Sequence, residues 1–355
     1  FFFDAMSLTV LTWNVWFAPT AFSVRYAAIA ALCEAQQPDV ICLQEVVPKF
    51  CAKLLKESWV QDSYVASDNS SGNSVRPYGV LMLVRRTLQP KFALHPMPTR
   101  MDRSLLTADL VFESKAVRVG TVHLESLANH PLRVQQLQVS ARTLADHPRA
   151  LLCGDFNFDS QRNFSGTGPL ENNCLEAVLP DFVDVWPLLR PADRGFTFDS
   201  ERNPVIHKPE RMRYDRVCVR KATPLDPDPN HPIPSDCSGS DHESALSPSS
   251  EPGPRRSSTA TNSDSDPVPP ANPPSEATPS LIPRSIKLLG TETLDHPVYN
   301  LKPEPPPAPA PPPKKVQVAR NLQINALQEG TALDPPRAGL CPSDHFGLLA
   351  VFTVA

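Results

Sequence analysis

Apolar residues recur along the chain in short runs: Leu8 to Trp13, Val40 to Leu43, Val80 to Val84, Ala116 to Val122, Ala150 to Cys153 and Val217 to Val219. Runs of this length, rich in Val, Ile and Leu and bounded by polar or turn residues, predict strands. Between them lie stretches with apolar residues three and four apart. Phe22 to Gln36 predicts a helix that stops before Pro38. Pro131 to Ala145 predicts another, with a proline in its first turn and Leu132, Val134, Leu137, Val139 and Leu144 along it. Alternating strands and helices predict a layered α/β domain; whether the strands run parallel stays open.

This pattern runs through residues 7–221. Over 222–280, Ser, Pro, Asp and Asn take over and aromatic residues vanish. Such a segment cannot bury enough apolar surface to offset its ordering entropy, which predicts a disordered insertion. Residues 281–296, with Ile286, Leu288 and Leu289, read as a return to the same domain. A second, Pro-rich insertion covers 297–338, and its Pro303 to Lys315 stretch suits polyproline II, a ligand for SH3- or WW-type partners. Residues 339–355 carry Phe346, Leu348, Leu349, Val351 and Val354, which predict a buried strand completing the first sheet across both insertions.

Composition narrows the class. The 355 residues include 42 prolines, over twice the usual frequency of about 5%. Only 13 glycines exclude a collagen-like chain. A net charge of -4 argues against a sequence-independent coat for nucleic acid. No apolar run approaches the roughly 20 residues of a membrane span. The opening Phe1-Phe2-Phe3-Asp4 lacks the basic region of a signal peptide, and the 8 cysteines form no C-x-x-C pair. No zinc knuckle or redox motif is signalled, and cysteines inside apolar runs, such as Cys42, read as buried reduced thiols of a nuclear or cytoplasmic protein that is not secreted.

The informative feature is what stands at the strand ends. Leu8 to Trp13 ends at Asn14, Val40 to Leu43 at Gln44-Glu45, and Ala116 to Val122 at His123, with Glu125 and Ser126 behind. Ala150 to Cys153 ends at Gly154-Asp155-Phe156-Asn157, and Ser343-Asp344-His345 precedes the last strand. Strand ends on one side of a sheet converge, so these groups can share a cleft. Glu45 and Asp344 with Asn14 offer hard oxygen ligands and no thiolate, a set that suits Mg²⁺. Asp155 and Asn157, two apart on an extended backbone, would point to one side and deprotonate and orient a water. His123 and His345 could donate to charge developing on a phosphoryl group, with Ser126 a further donor. Together these describe metal-assisted phosphoester hydrolysis. Ser240-Asp241-His242 repeats the last tripeptide with no strand behind it, and reads as a chance copy.

The series Trp13-Asn14, Leu43-Gln44-Glu45, His123 to Ser126, Gly154-Asp155-Phe156-Asn157, Tyr214-Asp215-Arg216 and Ser343-Asp344-His345 resembles the endonuclease/exonuclease/phosphatase superfamily. That resemblance implies a four-layered α/β sandwich of deoxyribonuclease I-like type. Asp184-Val185-Trp186, Arg213 to Arg216, Pro283-Arg284-Ser285 and Leu288-Leu289-Gly290 make the chain most similar, within it, to the type 2 tyrosyl-DNA phosphodiesterases. The resemblance implies Mg²⁺, replaceable by Mn²⁺, held by Glu45 with Asn14 and Asp344. It implies Asp155 activating water with Asn157, His345 buttressed by Asp215 stabilising the transition state, and His123 and Ser126 gripping phosphate. Arg103, Phe198 and Arg216 would meet the DNA, whose 5′ ends carry a tyrosyl or peptide adduct. Phe198 falls where the family usually has a tryptophan, and still offers a ring face.

One departure bears on substrate. After Gly-Asp-x-Asn the family usually reads Leu-Arg-Asp; here Phe158-Asp159-Ser160 follows. Asp159 is expected to weaken binding of an anionic strand, with Arg162 close enough to substitute. It favours, as an alternative, another activity of the superfamily such as an abasic-site nuclease or a deadenylase. A scaffold with an inactive site and Pro-rich partner motifs is the reading from another class. The stretch Arg211 to Lys221 carries five cations against one acid, which suits either a solvated strand edge or a basic lip for nucleic acid.

Overall fold

The computed structural model describes residues 6–164, 168–221, 280–294 and 339–354, all within a unit formed by 1–222 and 279–355. The Ser/Pro-rich and Pro-rich insertions, and with them Ser240-Asp241-His242 and the polyproline stretch, lie outside the described residues.

The strands are β1 (Leu8–Asn14), β2 (Val40–Val46), β3 (Tyr64–Ala66), β4 (Gly79–Arg85), β5 (Lys91–Pro96), β6 (Ser104–Phe112), β7 (Lys115–His123), β8 (Ala150–Asp155), β9 (Phe182–Asp184), β10 (Phe198–Asp199), β11 (Arg211–Met212), β12 (Asp215–Arg220), β13 (Leu281–Leu289) and β14 (Gly347–Val354). The helices are α1 (Phe22–Gln36), α2 (Pro48–Leu54), α3 (Ser58–Ser63), α4 (His130–Leu144), α5 (Cys174–Val178) and α6 (Val185–Leu189). One six-stranded sheet has the order β13-β14-β1-β2-β4-β3, the other β5-β6-β7-β8-β12-β9, and β10 and β11 form a small ribbon. Both large sheets are mixed: β1 and β2 pair in parallel, as do β7 and β8, while the neighbouring ladders are antiparallel.

Strand periodicity sorts the apolar residues into layers. Leu8 and Val10 of β1, Val40 and Cys42 of β2, Val117 and Val119 of β7, Leu151 and Cys153 of β8, and Val217 and Val219 of β12 meet in a core between the sheets. The alternate residues Leu11, Trp13, Ile41 and Leu43 pack outward against α1 and α2 through Tyr26, Ile29, Cys33, Phe50 and Cys51. On the far side Val122, Leu152 and Cys218 pack against Leu137 and Leu144 of α4. The result is a four-layered α/β sandwich.

The apolar runs located six strands, and each observed strand extends beyond its run into polar residues. β5 and β6 escaped the pattern. β5 is a largely exposed edge on which only Phe92 packs against the central core, and β6 breaks alternation with Leu105 and Leu106 adjacent and Asp109 among its apolar residues. All 7 cysteines among the described residues are unpaired, and no helix among them is long and apolar enough to cross a membrane.

Gly154 sits at φ +132°, and a Cβ there would lie 1.9 Å from the Val122 carbonyl oxygen in the β7–β8 ladder. Gly154→Ala is therefore expected to lower stability by about 3 kcal/mol or more, through strain and a forced break in pairing, read as a lower urea midpoint.

Candidate active site

The strand parity that builds the central core also builds the site. On β1 the inward positions 8, 10 and 12 lead to Asn14; on β7, 117, 119 and 121 lead to His123; on β8, 151 and 153 lead to Asp155; on β12, 217 and 219 trace back to Asp215. Each is an inward-facing residue at the same end of its sheet, closing β1, β7 and β8 and opening the antiparallel β12. Between them and the apolar core lies a polar layer in which Gln44 Nε2 donates to the hydroxyls of Thr12 and Thr121, each at 3.0 Å.

Glu45 does not follow parity. Its neighbours place it on the outward side of β2, but the β2–β4 register shifts between Leu43 and Val46, and Glu45 adopts φ +59°. This irregularity turns the carboxylate to the site, where Oε2 accepts the Phe17 N–H at 3.0 Å and Oε1 lies 3.9 Å from His123 Nε2.

The other predicted catalytic and metal residues converge here. Asn14 Nδ2 donates to Asp155 Oδ2 at 2.9 Å, and Asn14 Oδ1 accepts the Trp16 N–H at 3.0 Å. Asp155 Oδ2 lies 3.5 Å from His123 Nε2 and 3.9 Å from His345 Nε2. His345 Nδ1 bonds Asp215 Oδ2 at 2.7 Å. The Ser343 hydroxyl donates to the Asn14 carbonyl at 2.6 Å and contacts Asp344 Oδ1 at 3.2 Å. Arg103 reaches His123 Nδ1 and Ser126 Oγ, each at 2.9 Å. An arginine can only donate, so His123 Nδ1 accepts and its proton sits on Nε2, facing Glu45 and Asp155. Phe198 packs edge-on against His345 with ring centroids 5.3 Å apart.

Asn157 departs from expectation. It stands at φ +56°, not in extended conformation. Its N–H donates to Asp155 Oδ1 at 2.8 Å and its Nδ2 to the Leu124 carbonyl at 3.0 Å. It thus fixes the Asp155 carboxylate through its backbone. Phe156 points away into the helix-side core.

Burial, aided by Asp215, pushes the Asp155 carboxyl up to about 6 despite the opposing imidazolium of His345. Burial and the neighbouring Asp344 push Glu45 up to about 7, and burial raises Asp344 as well. Burial alone would lower His345, but Asp215 and Asp155 outweigh it and hold the imidazole protonated well above its ordinary range. Burial and Arg103 hold His123 far below that range, neutral.

The donor set fits a hard divalent cation. Glu45, Asp155, Asp215 and Asp344 are all at most 9% exposed, with no thiolate among them, and no arginine or lysine among the described residues forms an ion pair with any of the four. Such buried negative charge requires a counter-ion. Asp155, Asp215 and His345 offer ligand atoms within 4.8 Å of one another. Because Asp215 and His345 already bond each other, Glu45 and Asp344 are the freer oxygen ligands.

Arg216 corrects the expectation of a DNA contact. It lies between the inward Asp215 and Val217, so parity sends it to the opposite face. Fully buried, it bonds Asp184 and Asn172, each at 2.9 Å, and the Phe158 carbonyl at 3.1 Å. The basic lip is corrected with it: Arg211 pairs with Asp199 and Glu201, Arg213 with Asp184, and Arg220 with Asp181. Asp159 is 3% exposed, and its carboxylate accepts the N–H groups of Gln161, Arg162 and Arg213, so it presents no open charge to a strand.

Two residues act by positioning: Glu125, which the strand-end pattern marked without assigning it a role, and Arg25, which it did not mark. Glu125, fully buried, accepts from Thr99 Oγ1 at 2.8 Å and the Arg100 N–H at 2.9 Å, anchoring the loop that carries Arg103. Arg25 donates to the carbonyls of Val15, Trp16, Ala18, Thr20 and Pro342, joining the loop after Asn14 to the one before Asp344. Nothing local marks Arg25 in the sequence, since it occupies an ordinary helical position.

Residues 11–242 match the Endonuclease/Exonuclease/phosphatase family, and the chain belongs to it. Among individual proteins it is similar to tyrosyl-DNA phosphodiesterase 2 of Xenopus laevis, 28% identical over 228 residues, which is 61% of this chain and 57% of that protein. The human tyrosyl-DNA phosphodiesterase 2 is 28% identical over 224 residues, 60% of this chain and 58% of its own length. The chain thus spans a little over half the length of the curated relatives it matches. In fold it is similar to a D. rerio TDP2 complexed with single-strand DNA product, with TM-score 0.60, 20% identity, and 98% of this chain and 99% of that one covered. The human Nocturnin catalytic domain with bound sulfate has TM-score 0.52 at 13% identity over 98% of this chain and 94% of its own.

Arg216→Ala is expected to leave the Asn172 side chain and the Phe158 carbonyl without their buried donor, while Asp184 keeps Arg213, and to cost about 2–4 kcal/mol through unsatisfied polar groups and a cavity. Chemical denaturation reads this as lost stability, and the KM for any substrate of the folded variant stays unchanged.

Proposed function

We propose that the protein is a Mg²⁺-dependent phosphodiesterase that hydrolyses 5′-phosphotyrosyl bonds between peptide adducts and DNA ends. The carrying observation is the convergence of Asn14, Glu45, His123, Asp155 and the Asp215–His345 pair in one buried cluster. The relatives named tyrosyl-DNA phosphodiesterase 2 support the substrate. With Asp159 spent on backbone N–H groups, the ground for preferring another substrate of the family falls away. The unpaired, mostly buried cysteines support a reducing compartment, nuclear or cytoplasmic.

The cation, with Mn²⁺ as substitute, would be held by Glu45 with Asp344 and the remaining lone pair of Asn14 Oδ1, and supplies positive charge against the phosphoryl oxygens. Asp155 takes a proton from the attacking water, its carboxylate aimed by Asn14 on one oxygen and Asn157 on the other. His345 donates from Nε2 to the phosphoryl group while Asp215 holds Nδ1. His123 offers its Nε2 proton to the same group, and Arg103 fixes that tautomer. Arg103, 4% exposed, lines the same cleft as Tyr78, Asp102 and His123.

A 5′-phosphotyrosyl oligonucleotide, assayed with and without chelator beside an abasic duplex and poly(A), tests the reading: turnover of the tyrosyl ester alone and only with metal is expected. Asp155→Asn and His345→Ala should each lower turnover at least ~100-fold with the fold retained, as for loss of a general base or acid. Near-normal turnover in either would remove the mechanism.

The pH profile follows from the same groups. Asp155 acts deprotonated, so the rate at saturating metal should rise through about pH 6, and the metal concentration needed should fall as Glu45 gives up its proton near pH 7. His345 acts protonated and is held far up by its carboxylates, so the rate should fall only well above pH 7. Asp215→Asn removes the leading acid that raises His345, and should shift the alkaline limb to lower pH.

A further inference from the structure

The loop that follows Asn157 departs from the family pattern, and the structure shows what its residues build. Asp159 Oδ2 accepts the N–H groups of Gln161 at 2.8 Å and Arg162 at 3.1 Å, while Oδ1 accepts that of Arg213 at 2.7 Å. The loop is thereby tied to the segment that carries Tyr214. Asn163 ties it again, its Oδ1 accepting the Glu171 N–H at 2.8 Å and its Nδ2 donating to the Pro169 carbonyl at 2.8 Å. Phe164, next in sequence, lies stacked on Tyr214 with ring centroids 6.1 Å apart and planes 20° apart. The Arg133 guanidinium lies 5.7 Å from the same ring.

Phe164 is 40% exposed, the one aromatic among the large apolar side chains left exposed among the described residues. Its stacking neighbour Tyr214 stands 6.0 Å from His345, and Phe198 stands 5.7 Å from Tyr214 and 5.3 Å from His345. A file of rings therefore runs from the catalytic imidazole to an exposed aromatic face two ring contacts away. The exposed Arg162 accompanies it, its Nε on the Met212 sulfur at 2.9 Å. A part-exposed ring beside the exposed Arg162 offers what an unpaired base and its phosphate need, because every base has a π-face and stacking is indifferent to sequence, while the buried Arg133, paired with Glu171, holds the ring in place.

We infer that Phe164 is a stacking platform for an unpaired base of a single DNA strand whose 5′ phosphate lies at His345, replacing with a ring the strand contact made by arginine in the usual family pattern. This rests on the proposed reading of the site as one that acts on DNA ends, but binding can be measured without turnover.

The test is the affinity of the full chain, in chelator, for a 5′-phosphorylated oligo(dT), followed by fluorescence anisotropy. Phe164→Ala should weaken binding by about fivefold or more, the lower range for loss of one stacked base. Phe164→Leu, which keeps apolar bulk without a ring, should weaken it as much, and Phe164→Trp should keep it. Melting temperature separates loss of fold from loss of contact. Wild-type and Phe164→Ala affinities within twofold, full affinity in Phe164→Leu, or no oligonucleotide binding by the wild type would overturn the inference. Strand binding that depends on Phe164, without hydrolysis of the phosphotyrosyl ester, would instead sink the proposed reaction and leave the platform standing.

Discussion

A protonated imidazole wedged among carboxylates at the seam of two sheets is the interaction on which the rest depends. His345 stands just before β14 of one sheet, and Asp215 opens β12 of the other. Asn14 and Asp155 repeat the bridge from β1 to β8. Without that imidazolium, Asp155 and Asp215 would face each other as buried anions, a costly arrangement in a low dielectric. The groups that would perform chemistry are thus also the groups that pin the sheets together at this end. The apolar core between the sheets stops at the Thr12–Gln44–Thr121 layer, which passes from oil to charge through hydrogen bonds donated by the Gln44 amide nitrogen.

Much of this was legible in the chain, for a physical reason. A strand that faces the core with every second residue must end on some inward residue, and in this fold those residues are polar. Asn14, His123 and Asp155 could be found by looking where each apolar run stops, whereas Asp215, parted from its run by Arg216, came only with the resemblance to the family. Glu45 could be found as a residue but not as a geometry, because the irregularity that turns it inward is a matter of backbone register between β2 and β4. β5 and β6 were hidden because an exposed edge and a strand with a broken alternation carry no clean period.

Charges misled where apolar residues did not. The Arg211 to Lys221 run was weighed by its own charges and Asp159 and Arg216 by the family pattern, which suggested a basic lip, a repulsive acid and a DNA contact. Their partners are far along the chain: Asp184 for Arg213 and Arg216, Asp181 for Arg220, backbone N–H groups of two segments for Asp159. A one-residue step along β12 separates a catalytic-site acid from an arginine in the opposite layer, and composition has no access to that step.

The position of β14 carries a consequence for how the protein comes into being. It is an interior strand, between β13 and β1, yet it follows both insertions, and the Trp13 indole meets the His345 carbonyl across 332 positions of chain. A nascent chain that has already made Glu45 and Asp155 still lacks its imidazole and exposes the unpaired flank of β1, so synthesis itself withholds catalytic competence until the late strand inserts. That open flank also makes the interval before insertion the period of greatest exposure to misassociation on the ribosome.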